Sequence, residues 1–339
     1  MIVLGIETSC DECSAAIVEN GHTILSNIIA TQIELHMPYE GVVPELASRL
    51  HTEWISQVVQ SAMDKAKLSP SGIDAVAVTN RPGLLGSLLV GVSFAKGFAA
   101  ARDLPFITID HIRAHLYASQ IEHPLAYPYL GVLVSGGHTV ICRVDDYDTI
   151  EVLGTTIDDA IGEAFDKVAK HYGLGYPGGV AIDRLAQKGN PLAFLFPGPT
   201  LHSKDHPYDI SYSGLKSAAI NQLDKFWDGV SEKSPENIAA SFQRSAVNML
   251  VKRVRLALQE TGLKRLSAGG GVAANSYLRS ELLAFEGGGY EVSFPSLKLC
   301  TDNGAMIGAL AYEYLHDGKR SEFTESASAR VTAFKKQYS

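Results

Sequence analysis

The sequence lacks most of the features that would assign a class at once. No apolar run approaches the ~20 residues needed to span a bilayer. One small-residue-rich uncharged stretch, Pro82 to Ala95, is closed by Arg81 and Lys96. The opening residues, Met-Ile-Val-Leu-Gly-Ile-Glu, have neither the basic flank nor the cleavable apolar core of a secretory signal. The expectation is therefore a cytoplasmic protein. Cysteine is scarce: Cys10, Cys13, Cys142 and Cys300 are too few and too scattered for a disulfide framework in 339 residues. Cys10-x-x-Cys13 resembles half of a zinc or redox motif, but no second pair exists and this one falls in a turn, so all four read as free thiols. No Walker A sequence is present, and no G-x-G-x-x-G follows the first strand, so neither P-loop nor Rossmann binding is supported. Positive charge is short as well, with 29 Lys and Arg against 37 Asp and Glu and a net charge of −8. Phosphate contacts dominate nucleic-acid affinity, so such a chain is a poor RNA binder unaided. Any RNA must meet a local patch, such as Lys252, Arg253 and Arg255, or another subunit.

What is present is a folded α/β chain. With 46% hydrophobic and 19% charged residues it can bury a substantial core, and its length suits two domains. Strand patterns over Val3–Ser9, Ser14–Glu19 and His22–Ala30, split by Asn20-Gly21, open the first half. A helix at about Val43–Leu68, strand Ala75–Asn80, helix Leu84–Ala101 and strand Pro105–Asp110 follow. The second half repeats the plan: strands at Tyr129–Ser135, His138–Val144 and Ile150–Leu153, then helices at about Ile157–His171, Gly179–Gln187, Gly214–Phe226 and Glu236–Thr261. Strand Arg265–Ala268, helix Ala274–Phe285, strand Glu291–Phe294 and a helix from Asp302 to about His316 complete it. Two related, hairpin-first lobes with mixed sheets and a cleft between them are expected.

His111-Ile-Arg-Ala-His115 is the sharpest local signal. Residues four apart share a helical face, so both imidazoles can reach one metal ion, and the pair directly follows a strand. Zinc peptidases require H-E-x-x-H; Ile112 stands where the glutamate would be and cannot take a proton from water. Asp302 is a candidate third ligand, although at a helix start the pattern alone favours a cap. The polar turn Thr8–Asp11 and the glycine-containing turns at Ser135–Gly137, Gly178-Gly179 and Gly269–Gly271 are candidate anion contacts, since glycine lets backbone amides approach closely. Asp159, Glu163 and Asp166 form an acidic helical stripe that reads as a solvated face. Asp11 and Glu12 sit in a turn able to present a general base.

Together these segments resemble the TsaD family (older names Gcp and YgjD), the tRNA threonylcarbamoyl-adenosine transferases. The likeness rests on Gly5-Ile-Glu-Thr-Ser-Cys-Asp-Glu12, Gly41-Val-Val-Pro-Glu-Leu-Ala-Ser-Arg49 with His51, Arg81-Pro-Gly-Leu-Leu85, His111–His115, Leu133-Val-Ser-Gly-Gly-His-Thr139, Glu163-Ala-Phe-Asp-Lys167, Tyr176-Pro-Gly-Gly179, Ser213-Gly-Leu-Lys216, Gly269–Asn275 and Thr301–Gly304. The resemblance implies an actin-like ATPase, sugar kinase and Hsp70 (ASKHA) fold, with two ribonuclease-H-like lobes around a central cleft. It implies an N-terminal lobe of residues 1–105, joined by a C-terminal helix at about 303–339, and a second lobe of 106–302. It implies metal ligands at His111, His115 and Asp302 and substrate contacts at Leu133, Val134, Ser135, Gly136, Gly137, Asp166, Gly179, Asp183 and Asn275, with Asp11 and Glu12 as catalytic carboxylates. One divalent ion per subunit is implied, Fe2+ with Zn2+ or Mn2+ as alternatives, together with an adenine nucleotide in the cleft. The implied partners are tRNA, threonylcarbamoyl-AMP and proteins of the TsaB and TsaE types, with no membrane. Leu133 and His138, where archaeal and eukaryotic relatives carry tyrosine and asparagine, point to the bacterial branch. The rival readings are a small-molecule kinase or ATPase of the same fold and a metallopeptidase.

Overall fold

The computed structural model describes residues 1–197, 206–330 and 334. The chain forms two compact units, Met1–Pro124 together with the segment that begins at Pro295, and Leu125–Phe294. In the first unit the chain runs β1 (Ile2–Glu7), β2 (Glu12–Glu19), β3 (Thr23–Thr31), a short α1 (Ile33–His36), α2 (Pro44–Ala66), β4 (Ala75–Arg81), α3 (Leu85–Ala100), β5 (Phe106–Asp110) and α4 (His111–Glu122). The second unit holds β6 (Tyr129–Val134), β7 (Thr139–Val144), β8 (Ile150–Thr155), α5 (Ile161–His171), α6 (Gly178–Ala186), α7 (Ser213–Asn221), α8 (Pro235–Thr261), β9 (Arg265–Gly269), α9 (Ser276–Leu283) and β10 (Glu291–Ser293). The chain then returns to the first unit as α10 (Leu297–Cys300) and α11 (Gly304–His316).

Each unit has its own five-stranded sheet, in the orders β3-β2-β1-β4-β5 and β10-β9-β6-β7-β8. In both, three antiparallel strands formed by consecutive hairpins continue into two parallel ones. The hairpin-first repeat expected from the sequence is thus one topology used twice.

Strand β1 is buried from Val3 onward, as a strand covered on both faces must be. Leu4 and Ile6 join Ile55, Val58, Val59 and Val92 from α2 and α3 in one core. The alternate position, Gly5, faces α11 so closely that a Cβ there would lie 2.3 Å from the Gly304 carbonyl oxygen. Only glycine permits that approach. Burying one such aliphatic side chain contributes about 1.5–3 kcal/mol, and α11 adds Met306, Ile307 and Leu310 to the buried set, although some 180 residues of sequence separate it from α4.

Several expectations shift in the structure. The first unit extends to Pro124, because β5 pairs with β4 and α4 packs on α11. His111 and His115 therefore belong with residues 1–105 rather than with the second unit. The return helix ends at His316, followed by Gly318 at φ +78, and residues 317–330 form no further helix. Of the expected stretch to 339, residues 331–333 and 335–339 lie outside the described residues. The acidic stripe also dissolves. α5 begins only at Ile161, and Asp159, ahead of it, is buried and ion-paired with Lys167 and Lys216. Among the described residues no helix is long and apolar enough to cross a membrane.

Candidate functional site

The site in the first unit is built at the carboxyl ends of its parallel strands, where α/β sheets collect ligands. β5 ends at Asp110, whose carboxylate accepts hydrogen bonds from the Ile112 and Arg113 amides and so caps α4. That cap starts the helix at His111 and brings His115 onto the same face one turn later. The two rings stand edge to face with centroids 4.5 Å apart.

Asp302 reaches them from the loop before α11. It does not cap that helix: Asn303 does, accepting from the Met306 amide while donating to the Leu299 and Thr301 carbonyls. The cap reading of Asp302 is corrected accordingly, and its carboxylate is left to the site. Asp302 Oδ1 lies 3.0 Å from His115 Nε2 and 3.6 Å from His111 Nε2. The three donor atoms lie within 4.8 Å of one another.

Two imidazole nitrogens and a carboxylate oxygen at this spacing fit a divalent cation, since ligands ~2.1 Å from a tetrahedral ion are ~3.4 Å apart. The surroundings support the same assignment. His111 Nδ1 is 3.0 Å from Glu7 Oε2 and 3.1 Å from Ser9 Oγ, which places a proton on Nδ1 and turns Nε2 toward Asp302. Glu7 is fully buried at the end of β1 and is held by the Ser9 amide and the Thr79 hydroxyl. Burial opposes protonation of His111, but Asp302 and Glu7 outweigh it and lift its pKa to about 9. Burial and the neighbouring His111 lower that of His115. Burial pushes the Glu7 carboxyl up, and the His111 charge and hydrogen bond more than reverse that. Such a concentration of opposed shifts marks a functional cluster. Glu7 escaped the sequence reading; its one signal was a carboxylate closing an otherwise apolar strand.

Asp11 ends the turn that follows β1 and Glu12 opens β2, close enough to Asp302 for its charge to act on the Glu12 carboxyl. Burial first, then Asp302 and Asp11, push the Glu12 carboxyl well above its usual range.

The remaining predicted residues fall in the second unit. Leu133 and Val134 end β6, and Ser135–Gly137 form the turn to β7, closed by the Ser135 amide donating to the His138 carbonyl. Gly270, at φ +91, passes so near this strand that a Cβ would lie 2.4 Å from the Val134 oxygen. Asp166 accepts from the Gly178 amide at the start of α6, and Asp183 accepts from the Ser276 amide and hydroxyl. Asn275 caps α9 and donates to Gln243. Gly179, beside Gly178, has open space around it apart from Phe165. Asp166, Asp183 and Asn275 thus tie α5, α6, α8 and α9 together.

Solved structures of other proteins share this fold. HypF of T. kodakarensis superimposes with a TM-score of 0.62 at 15% identity, over 93% of this chain and 48% of its own. Component A of the Acidaminococcus fermentans (R)-2-hydroxyglutaryl-CoA dehydratase gives 0.56 at 17% identity, over 93% and 99%. The fold is that of the actin-like ATPase, sugar kinase and Hsp70 class. Sequence narrows it further. A Treponema denticola tRNA N6-adenosine threonylcarbamoyltransferase is 59% identical over 337 residues, 99% of each chain. Its counterpart in Borrelia recurrentis is 51% identical over 336 residues, 99% of this chain and 98% of the other. The profile of the family TsaD, tRNA N6-adenosine threonylcarbamoyltransferase, matches residues 23–309, and the chain belongs to that family.

Proposed function

We propose that the protein transfers the threonylcarbamoyl group of threonylcarbamoyl-AMP to the exocyclic N6 of the adenosine 3′-adjacent to the anticodon, in tRNAs that read ANN codons. The observation that carries this reading is the convergence of His111, His115 and Asp302 in a chain of this family. Those three residues would hold the ion, Fe2+ with Zn2+ or Mn2+ as alternatives compatible with the donors. A divalent cation held there would supply Lewis acidity toward the carbamoyl oxygen.

The chain's own residues do the rest. Leu133–Gly137, Asp166, Gly179, Asp183 and Asn275 hold the adenylate, and the amides of the glycine turns stabilise the departing phosphate. N6 attacks the carbamoyl carbon, the bond to the AMP oxygen breaks, and the amine proton passes to Glu12 or Asp11. That amine is a weak nucleophile, so positioning provides much of the rate. An adenine nucleotide is a further occupant consistent with the fold class.

A net charge of −8 argues for RNA held jointly with partners, of the TsaB and TsaE types, in the cytoplasm where tRNA resides. Peptidase activity is disfavoured by Ile112, a buried apolar side chain at the position of the required base.

The test is mass spectrometry of tRNA nucleosides after incubation with threonine, bicarbonate, ATP and the partner enzymes, with and without this chain. The modified adenosine is expected only in its presence. Equal modification without it, or none with it, overturns the reading.

A further inference from the structure

Three consecutive carbonyls of the turn before Glu12 are each held by a different element. The Leu84 amide donates to the Ser9 oxygen at 2.7 Å, His51 Nε2 to the Cys10 oxygen at 2.9 Å, and the Gln32 amide to the Asp11 oxygen at 3.2 Å. Two of these donors are backbone groups that almost any residue would supply. The third is a side chain: His51 lies in the first half of α2 and is fully buried.

The ring is an unexpected choice for that position. Its Nδ1 is buried and, among the described residues, has no hydrogen-bond partner. An unpaired buried acceptor costs about 1–3 kcal/mol. A leucine would fill similar space without it. Burial keeps the His51 pKa low, against the raising influence of the Cys10 carbonyl, Glu7 and Asp11. The ring is therefore neutral at physiological pH, with its single proton committed to Cys10. The residues that follow Cys10 are Asp11 and Glu12.

We propose that His51 is a positioning residue for the transfer reaction: by holding the Cys10 carbonyl it fixes the turn that presents Asp11 and Glu12 near Asp302. The inference rests on the reading of those carboxylates as proton acceptors. Without the imidazole the Cys10–Asp11 peptide loses its hold on α2, and only the flanking Ser9 and Asp11 carbonyls still restrain it. A displacement of ~1 Å in a reacting group can lower a rate by ~100-fold while leaving distant binding contacts intact.

Three substitutions separate this role from simple packing. His51→Leu removes the donor at similar volume. His51→Gln keeps an N–H near the Nε2 position, and His51→Asn draws it back toward the Nδ1 position, short of Cys10. In the reconstituted, metal-loaded enzyme with its partners, His51→Leu and His51→Asn should lose roughly 10- to 100-fold in kcat, with KM for tRNA within about twofold, while His51→Gln stays within about threefold. Metal content should not change. In an Asp11→Asn, Glu12→Gln background, adding His51→Leu should cost nothing further, because groups acting as a unit are not additive. Equal turnover by the Gln, Asn and Leu variants, or a full additional loss in the carboxylate background, overturns the assignment. If His51→Leu does not fold, the Gln and Asn variants carry the comparison. Wild-type transfer by the carboxylate variant sinks the proton-acceptor reading and this inference with it. Normal turnover by His51→Leu beside an inactive carboxylate variant sinks this inference alone.

Discussion

Glu7 Oε2 lies 3.0 Å from His111 Nδ1, and this contact decides which nitrogen of the ring faces Asp302. A carboxylate behind a ligating imidazole fixes its tautomer and raises its basicity. Glu7→Gln preserves the shape but removes the charge. Metal affinity, followed by competition with a chelator, should fall by roughly 10- to 100-fold. Unchanged affinity would remove Glu7 from the site.

Because Asn303 and not Asp302 caps α11, metal binding and helix stability can be separated by neighbouring substitutions. Asp302→Asn should abolish stoichiometric metal binding and transfer while the circular dichroism spectrum remains that of the parent. Asn303→Ala should instead destabilise the fold by about 0.5–2 kcal/mol, the usual cost of losing such a cap. Metal content after gel filtration and thermal melting distinguish the two.

Glu12 carries a testable pH signature. Its carboxyl is pushed up by burial and by the Asp302 and Asp11 charges. A base with a raised pKa works only above it, so kcat should fall as pH drops through a value higher than that of an ordinary carboxylate. The stability consequence has the opposite sense. A raised folded-state pKa favours the native state at low pH, and this advantage is lost as pH rises through it. Glu12→Gln should therefore raise the melting temperature more at pH 8 than at pH 5, and should remove the acid limb of the rate profile. An unchanged limb in that variant assigns the proton to Asp11.

In the second unit Asp159 should behave in the reverse way. Burial pushes its pKa up, but hydrogen bonds from Lys167 and Lys216 outweigh this and hold it low. A depressed carboxyl pKa contributes stability above the unfolded value, and loses it as pH falls through the folded one. Asp159→Asn should cost about 1–2 kcal/mol at pH 7, after allowance for the half-exposed Lys167. The difference from the parent should close in acid, as urea unfolding at pH 7 and pH 3 would register.

Gly5→Ala probes how α11 delivers Asp302. The added Cβ would sit 2.3 Å from the Gly304 oxygen and 2.5 Å from the Gly308 amide, both backbone atoms that cannot turn aside. Overpacking of this kind typically costs about 1–3 kcal/mol, occasionally more. Since Gly304 follows Asp302 by two residues, metal affinity should fall together with the melting temperature. A stable variant with normal metal binding would show that the approach is not what sets the ligand.

What the sequence determined by itself is local. The hairpins marked by Asn20-Gly21 and Ser135-Gly136-Gly137, the helical spacing of His111 and His115, and the position of that pair just after a strand all follow from short-range patterns, which depend on a few consecutive residues. The motifs of the family carried the identity as well. Tertiary structure decided everything that depends on separated segments meeting. Asp302 and Asn303 are adjacent polar residues at one helix start, and pattern alone could not say which would cap and which would ligate. Burial made Asp159 an ion-paired strut rather than part of a solvated stripe, and it made Glu7 and His51 partners of groups 104 and 41 residues away. Hydrogen bonds and charges act over a few ångströms in space, and only the packing of α11 and α2 against the sheet brings those groups within that range.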